Sequence, residues 1–178
     1  MSPRTLNQRG PDIGDPPPAW RRISIPLIAV IFASALPTML PLIANSPVVP
    51  PMGLLLFLCW QLLRTDIWPI WIGLPLGLMD DLFSGAPIGS AVFLWTFASF
   101  VVHYFAERLI WRAFWHDWLI AAVLIAFIQT ISAKLSHSHA PWGHMLQLVA
   151  PQIIISSLLF PIFMRLTAML DKFRLKRG

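Results

Sequence analysis

Five stretches of this chain, at residues 23–44, 47–63, 86–106, 113–133 and 146–166, stay apolar over a length close to the thickness of a lipid bilayer. Crossing the hydrocarbon core as a helix takes about 20 apolar residues, with a range of about 17–25. A sixth stretch, "IWPIWIGLPLGLM" at residues 67–79, runs only thirteen residues before two adjacent acids interrupt it. At ~1.5 Å rise per residue it reaches roughly 20 Å, short of the ~30 Å core. It is expected either as a short helix shielded by its neighbours, continuing to residue 83, or as a re-entrant segment. Composition points the same way. Of 178 residues, 57% are hydrophobic and 12% charged, with mean hydropathy +0.69. A soluble domain carries about 25% charged residues. Half that share leaves too little polar surface to cover a globule in water, so lipid is the expected solvent. Nine Trp against one Tyr fit aromatic belts at the two bilayer interfaces.

Charge placement sets the number of crossings. With six spans and an inside N-terminus, the inner side receives Arg4, Arg9, Arg21, Arg22, Arg64, Arg108, Arg112, Arg165, Lys172, Arg174, Lys176 and Arg177. Lys134 alone falls outside. Cationic loops are retained on the cytoplasmic side, so this asymmetry favours six crossings with both termini in the cytoplasm. Five would put the basic C-terminal end outside. The expected architecture is therefore an all-α integral membrane protein of the plasma membrane. A Pro-rich polar tail at residues 1–22, too poor in apolar side chains to order itself, leads into a six-helix domain at residues 23–170. A basic tail at residues 171–178 follows. Seventeen prolines, among them Pro26, Pro37, Pro151 and Pro161 within apolar segments, predict kinked helices whose freed carbonyls are shielded by neighbours.

The outer connections are short, so function is expected within the membrane or on surfaces shown to partners. Cys59 is the sole cysteine, which excludes a disulfide framework and a thiolate metal site. His137, His139 and His144 in "HSHAPWGH" lie close enough for an imidazole-metal site, yet no carboxylate or thiol accompanies them, and a solvated loop accounts for them as well. No nucleotide-binding loop and no interleaved basic-aromatic patch for nucleic acid is present. The inner connection "ERLIWRAFWHDW" at residues 107–118 places Arg108, Trp111, Arg112 and Trp115 at helical spacing. These read as an interfacial anchor or as a candidate docking surface for a cytoplasmic partner.

The paired acids Asp80 and Asp81 fall near the outer end of the third span. Neighbours on a helix are about 100° apart, so one carboxylate can face the bundle while the other faces the interface. That arrangement cannot form an aspartic dyad, and His103 falls at the opposite end of its span from Ser84. No cofactor and no catalytic constellation is expected. Capping is one use for the pair: Asp81 or Ser84 can accept hydrogen bonds from the N–H groups that open the next helix around residues 86–90. Gly85 would supply a left-handed turn and Pro87 would sit near the first helical position. Carboxylates at a helix C-terminus oppose its dipole, so a compensating amide cluster or a partner cation is expected beside them.

The stretch "GLMDDLFSGAPIG" at residues 77–89 resembles the G-x-x-x-D-x-x-S-G-x-x-(L/I)-G signature of the bacterial rod shape-determining MreD family. Gly77, Asp81, Ser84, Gly85, Ile88 and Gly89 fall on it, and Asp80 is an additional acid. The run "LLLFLCWQLLR" at residues 54–64, and Pro161 in the last span before a basic tail, are similar to that family too. The Pro-rich tail and the histidine loop depart from it. The resemblance implies a fold like the six-helix S components of energy-coupling-factor transporters. It also implies a non-enzymatic inner-membrane scaffold of the cell-elongation complex that guides peptidoglycan synthesis. Its implied partners are the transmembrane helix of MreC, the MreB filament, RodA with its transpeptidase, and membrane lipids. Two functions stand at this point. One is that scaffold, with the small residues Gly85–Gly89, Ser90 and Ala91 permitting close helix approach. The other is a small-molecule or lipid carrier with an S-component-like pocket near Asp80, Asp81 and Ser84.

Overall fold

In a computed structural model of the chain, residues 19–39, 49–108, 114–136 and 141–175 are described. Among them the fold is all-helical, with no strand. The helices are α1 (Ala19–Met39), α2 (Met52–Leu63), α3 (Gly73–Ser84), α4 (Ser90–Arg108), α5 (Phe114–Ser136) and α6 (Trp142–Leu175), and a 3-10 turn at Ile70–Ile72 leads into α3. Three segments, Ser90–Arg108, Phe114–Ser136 and Met145–Phe173, are long and apolar enough to cross a membrane.

Most helix ends differ from those expected, although α2 does end at Leu63. α1 opens at Ala19, inside the stretch read as a tail; residues 1–18 lie outside the described residues. α6 runs 34 residues to Leu175, so the basic segment from residue 171 continues the helix. α2 and α3 have 12 residues each, about 18 Å of rise. α4 starts at Ser90 because Pro87 belongs to the preceding turn, where the Ser90 N–H donates to Pro87 O at 3.0 Å. Pro87 therefore lies before the helix rather than in its first turn.

α2 is the central rod. Every residue from Gly53 to Leu62 is buried, which a helix apolar on all sides permits only when others surround it. Around it α1, α4, α5 and α6 pack their inner faces, while their outer faces carry large apolar side chains. Phe32, Phe93, Leu158 and Ile162 are all more than 60% exposed. Such an exterior suits hydrocarbon and would aggregate in water. Six of the described tryptophans divide between two environments, and Trp118 is half-buried. Trp71, Trp115 and Trp142 are exposed, whereas Trp60, Trp68 and Trp95 are buried. The belt reading thus does not hold for those three. Phe57 stacks on Trp95 at 4.7 Å between centroids and on Trp68 at 5.9 Å, and this cluster fills the centre of the bundle.

Close backbone approach comes from glycines on α3 and α2. A Cβ at Gly77 would lie 2.6 Å from Ala91 O, and one at Gly73 would lie 2.6 Å from Thr96 N. Four residues apart on one face, these glycines let α3 lie directly on the α4 backbone. A Cβ at Gly53 would likewise collide with Ser34 of α1. The carbonyl freed by Pro161 is shielded by a neighbouring helix. Pro161 cannot bond Ser157 O, and Trp118 Nε1 of α5 donates to that oxygen instead, at 3.1 Å.

The helices alternate in direction. Pro51, Ser84, Ser90, Ser136 and Met145, the ends nearest three connections, surround one cavity. At the opposite end Arg64, closing α2, pairs with Asp171 near the end of α6 at 3.2 Å. There too His103 of α4 places Nδ1 2.9 Å from Ser99 O and Nε2 3.1 Å from Trp68 O, tying α4 to the segment between α2 and α3.

Candidate functional site

The site grows from the turn between α3 and α4. α3 ends because Gly85 adopts φ +67°, ψ +16°, and its N–H donates to Asp81 O at 3.1 Å. This is the left-handed stop for which glycine has the least steric penalty. Gly89, at φ +99°, turns the chain again before α4. Neither glycine's Cβ position meets an atom within 4 Å. Within the described chain the close helix contact comes from Gly73 and Gly77, whereas Gly85 and Gly89 serve the backbone conformation of the turn and leave open space beside them.

The reversal delivers the start of α4 onto the side chain of Asp81. Its Oδ2 accepts from the Gly89 N–H at 2.8 Å and, more weakly, from the Val92 N–H at 3.5 Å. Its Oδ1 accepts from the Ala91 N–H and from Ser90 Oγ, both at 2.9 Å. Asp81 is 1% exposed. A carboxylate at this depth is tolerated because N–H donors and the positive end of the α4 dipole surround it. The cap thus crosses from one helix to the next, and the amide cluster is the compensation that a carboxylate at the end of α3 requires. Ser84 plays a lesser part, its Oγ accepting from Ala86 N–H at 3.4 Å.

Asp80 points elsewhere. Half-buried, it turns toward Ser34 of α1 and borders a cavity of about 580 Å³ at this end of the bundle. α3 contributes Asp80, Asp81 and Ser84 to its wall, and α4 contributes Ser90 and Trp95. Gln129, Ser132 and Ser136 come from α5 and Gln152 from α6. Gln129 is 7% exposed; its Nε2 donates to Ser156 Oγ at 3.1 Å, while its Oε1 has no hydrogen-bond partner. Gln152 Nε2 donates to Val49 O at 2.7 Å. The α5 and α6 residues were not among the sequence candidates. The signal was present in the spacing: Gln129, Ser132 and Ser136 recur at i, i+3 and i+7, a polar stripe along the last two turns of a mainly apolar helix.

Comparison with protein-family models, with curated proteins and with solved structures finds no match. The site must be read from its own chemistry.

Gly77, Asp80, Asp81, Ser84, Gly85 and Gly89 come together at one helix junction. Among the inner-connection candidates, Arg108 lies over the Tyr104 ring at 4.7 Å. Trp115 is 72% exposed and meets Phe114 and Trp118 edge to face. Trp111 and Arg112 lie outside the described residues, as do His137 and His139, and nothing is described of the His144 side chain. Among the described residues no cluster of three His, Cys, Asp or Glu side chains could hold a metal. His103 is thirteen residues up α4 from Ser90, roughly 20 Å away along the axis, and already engages two carbonyl oxygens.

Proposed function

We propose that this chain is a non-catalytic scaffold of the bacterial cell-elongation machinery, similar to MreD. In this reading it crosses the inner membrane six times with both termini in the cytoplasm. It holds the single transmembrane helix of MreC and so links MreB filaments to RodA and its transpeptidase. The observation that supports the reading best is the use made of four of the signature residues. Asp81, Ser84, Gly85 and Gly89, with Ser90 following them, serve one helix junction, which fixes α3 on α4, and Asp81 has its acceptor capacity filled by backbone and hydroxyl donors. A carboxylate so engaged is a structural brace and a poor general base. The apolar outer faces of α1 and α6 leave room for a further membrane helix beside them.

The experiment is genetic and biochemical. Removing the gene from its own bacterium is expected to turn rods into spheres, and the tagged full chain is expected to co-purify with MreC. Normal rods after deletion, together with no shape-complex protein in the purified material, would refute the scaffold reading.

A second reading, a carrier of a small molecule or lipid, is favoured by one observation: the described side chains leave a cavity of about 580 Å³ beside Asp80. Ligand pockets span about 300–1,000 Å³.

A further inference from the structure

A groove of about 520 Å³ lies on the outside of the bundle between α1 and α6, and every residue lining it is apolar. Residues 25–36 of α1 run along one wall, about 16 Å of rise. The small Ala29 and Ala33, four apart on one face, recess this wall beside the exposed Ile28 and Phe32. Phe163, Leu166 and Leu170, at i, i+3 and i+7, form the α6 wall, and Leu56 of α2 is buried at the floor. Polar chemistry begins one turn beyond the groove. Ile25 and Leu170 mark its end on the side of the Arg64–Asp171 pair. Arg21 and Arg22 precede Ile25 by four and three residues within α1, and Arg174 follows Leu170 by four within α6. Residues three or four apart share a helix face, so these cationic positions continue both walls of the groove. Lys172 is exposed on the same turn of α6, and Asp171, the acid in that turn, already pairs with Arg64.

We infer that this groove holds one acyl chain of an anionic phospholipid, with the lipid phosphate at the cationic turn of α1 and α6. An apolar tail joined to an anionic head matches a groove that is apolar along its length and cationic at one mouth. Arginine meets phosphate through charge-assisted hydrogen bonds, which a zwitterionic lipid offers with less net attraction. A helix about 10 Å across displaces roughly twice the volume of the groove over the same length. A slender chain therefore fits where a helix can only rest on the rims. The inference goes beyond both readings of function, and the groove shares no lining residue with the cavity beside Asp80.

The test uses the full chain in phosphatidylcholine nanodiscs that carry a trace of photoactivatable lipid, with a diazirine midway along one acyl chain. The probe is either phosphatidylglycerol or phosphatidylcholine with identical chains, and labelled positions are read by peptide mass spectrometry after illumination. Phosphatidylglycerol is expected to label Ala29, Ala33 and Leu166 about tenfold more than phosphatidylcholine does. Phe93 and Val123, exposed on the outer faces of α4 and α5, report the background from lipid that merely surrounds the protein. Arg21→Gln combined with Arg22→Gln is expected to reduce groove labelling about tenfold, the effect of two lost basic residues. Arg108→Gln, at the same end of the bundle on α4, should leave it unchanged, and Ala29→Trp should exclude the chain. Equal labelling by the two lipids, or groove labelling no greater than at Phe93 and Val123, overturns the proposal. So does the absence of label in the groove, which is the result if residues 1–18 or a partner's helix fill it. The comparison between lipids needs no variant, so it decides the matter even if a substituted chain does not fold.

Discussion

Asp81 shows how one residue can couple two helices. Its backbone oxygen receives the N–H that closes α3, and its side chain receives those that open α4. The adjacent acid has the same chemistry and a different fate because it points about 100° away around the helix. Replacing Asp81 by Asn preserves shape but sets an NH₂ donor against a cluster of N–H donors. That change is expected to lower stability by about 2 kcal/mol, the range for a lost cap with a buried group left unsatisfied. Thermal unfolding of the purified variant in detergent checks it, and an unchanged Tm would remove Asp81 from the junction.

At the scale of elements, glycines with different roles should respond differently. Gly77 faces the α4 backbone, where a methyl group would come within 2.6 Å of Ala91 O. Neither backbone can yield without the helices separating. Gly85 has open space around it, and only its positive φ resists a side chain. Gly85→Ala is expected to lower stability by about 1 kcal/mol through left-handed strain, and Gly77→Ala by about 2–3 kcal/mol through overpacking. The order of the two, measured in one unfolding series, is the informative quantity; a Gly85 variant more damaged than the Gly77 variant would contradict the packing described for α3 on α4. The spacing Gly73-x-x-x-Gly77 was visible in the sequence, but which helix it meets was not, since both neighbours of α3 in the chain are apolar.

For the whole molecule, alternation of the six helices gathers the ends next to the cavity on one side and the Arg64–Asp171 pair on the other. Under the proposed topology, Arg64 and Arg108 mark the cytoplasmic face and the cavity opens to the outside. A phosphatase fused after Gly178 is expected to be inactive, and the same enzyme inserted after Gly85 active. The reverse pattern would invert the molecule and place the cavity on the cytoplasmic side.

The chain's local chemistry already determined much of this protein. Hydrophobic run lengths required helices suited to lipid, and Gly85 required a left-handed stop. A carboxylate at the end of a helix required donors, and the next turn of chain was the nearest source. These features depend on residues within about a dozen positions of one another, so sequence carries them. Tertiary structure alone decided the rest. It assigned three tryptophans to the core, gave Ser157 O to Trp118, and brought Gln129 to the wall of the same cavity as Asp80, 49 residues earlier in the chain. An apolar helix offers several faces of similar hydrophobicity, so its own sequence cannot choose among them. The choice falls to steric fit between helices, which exists only once they are packed.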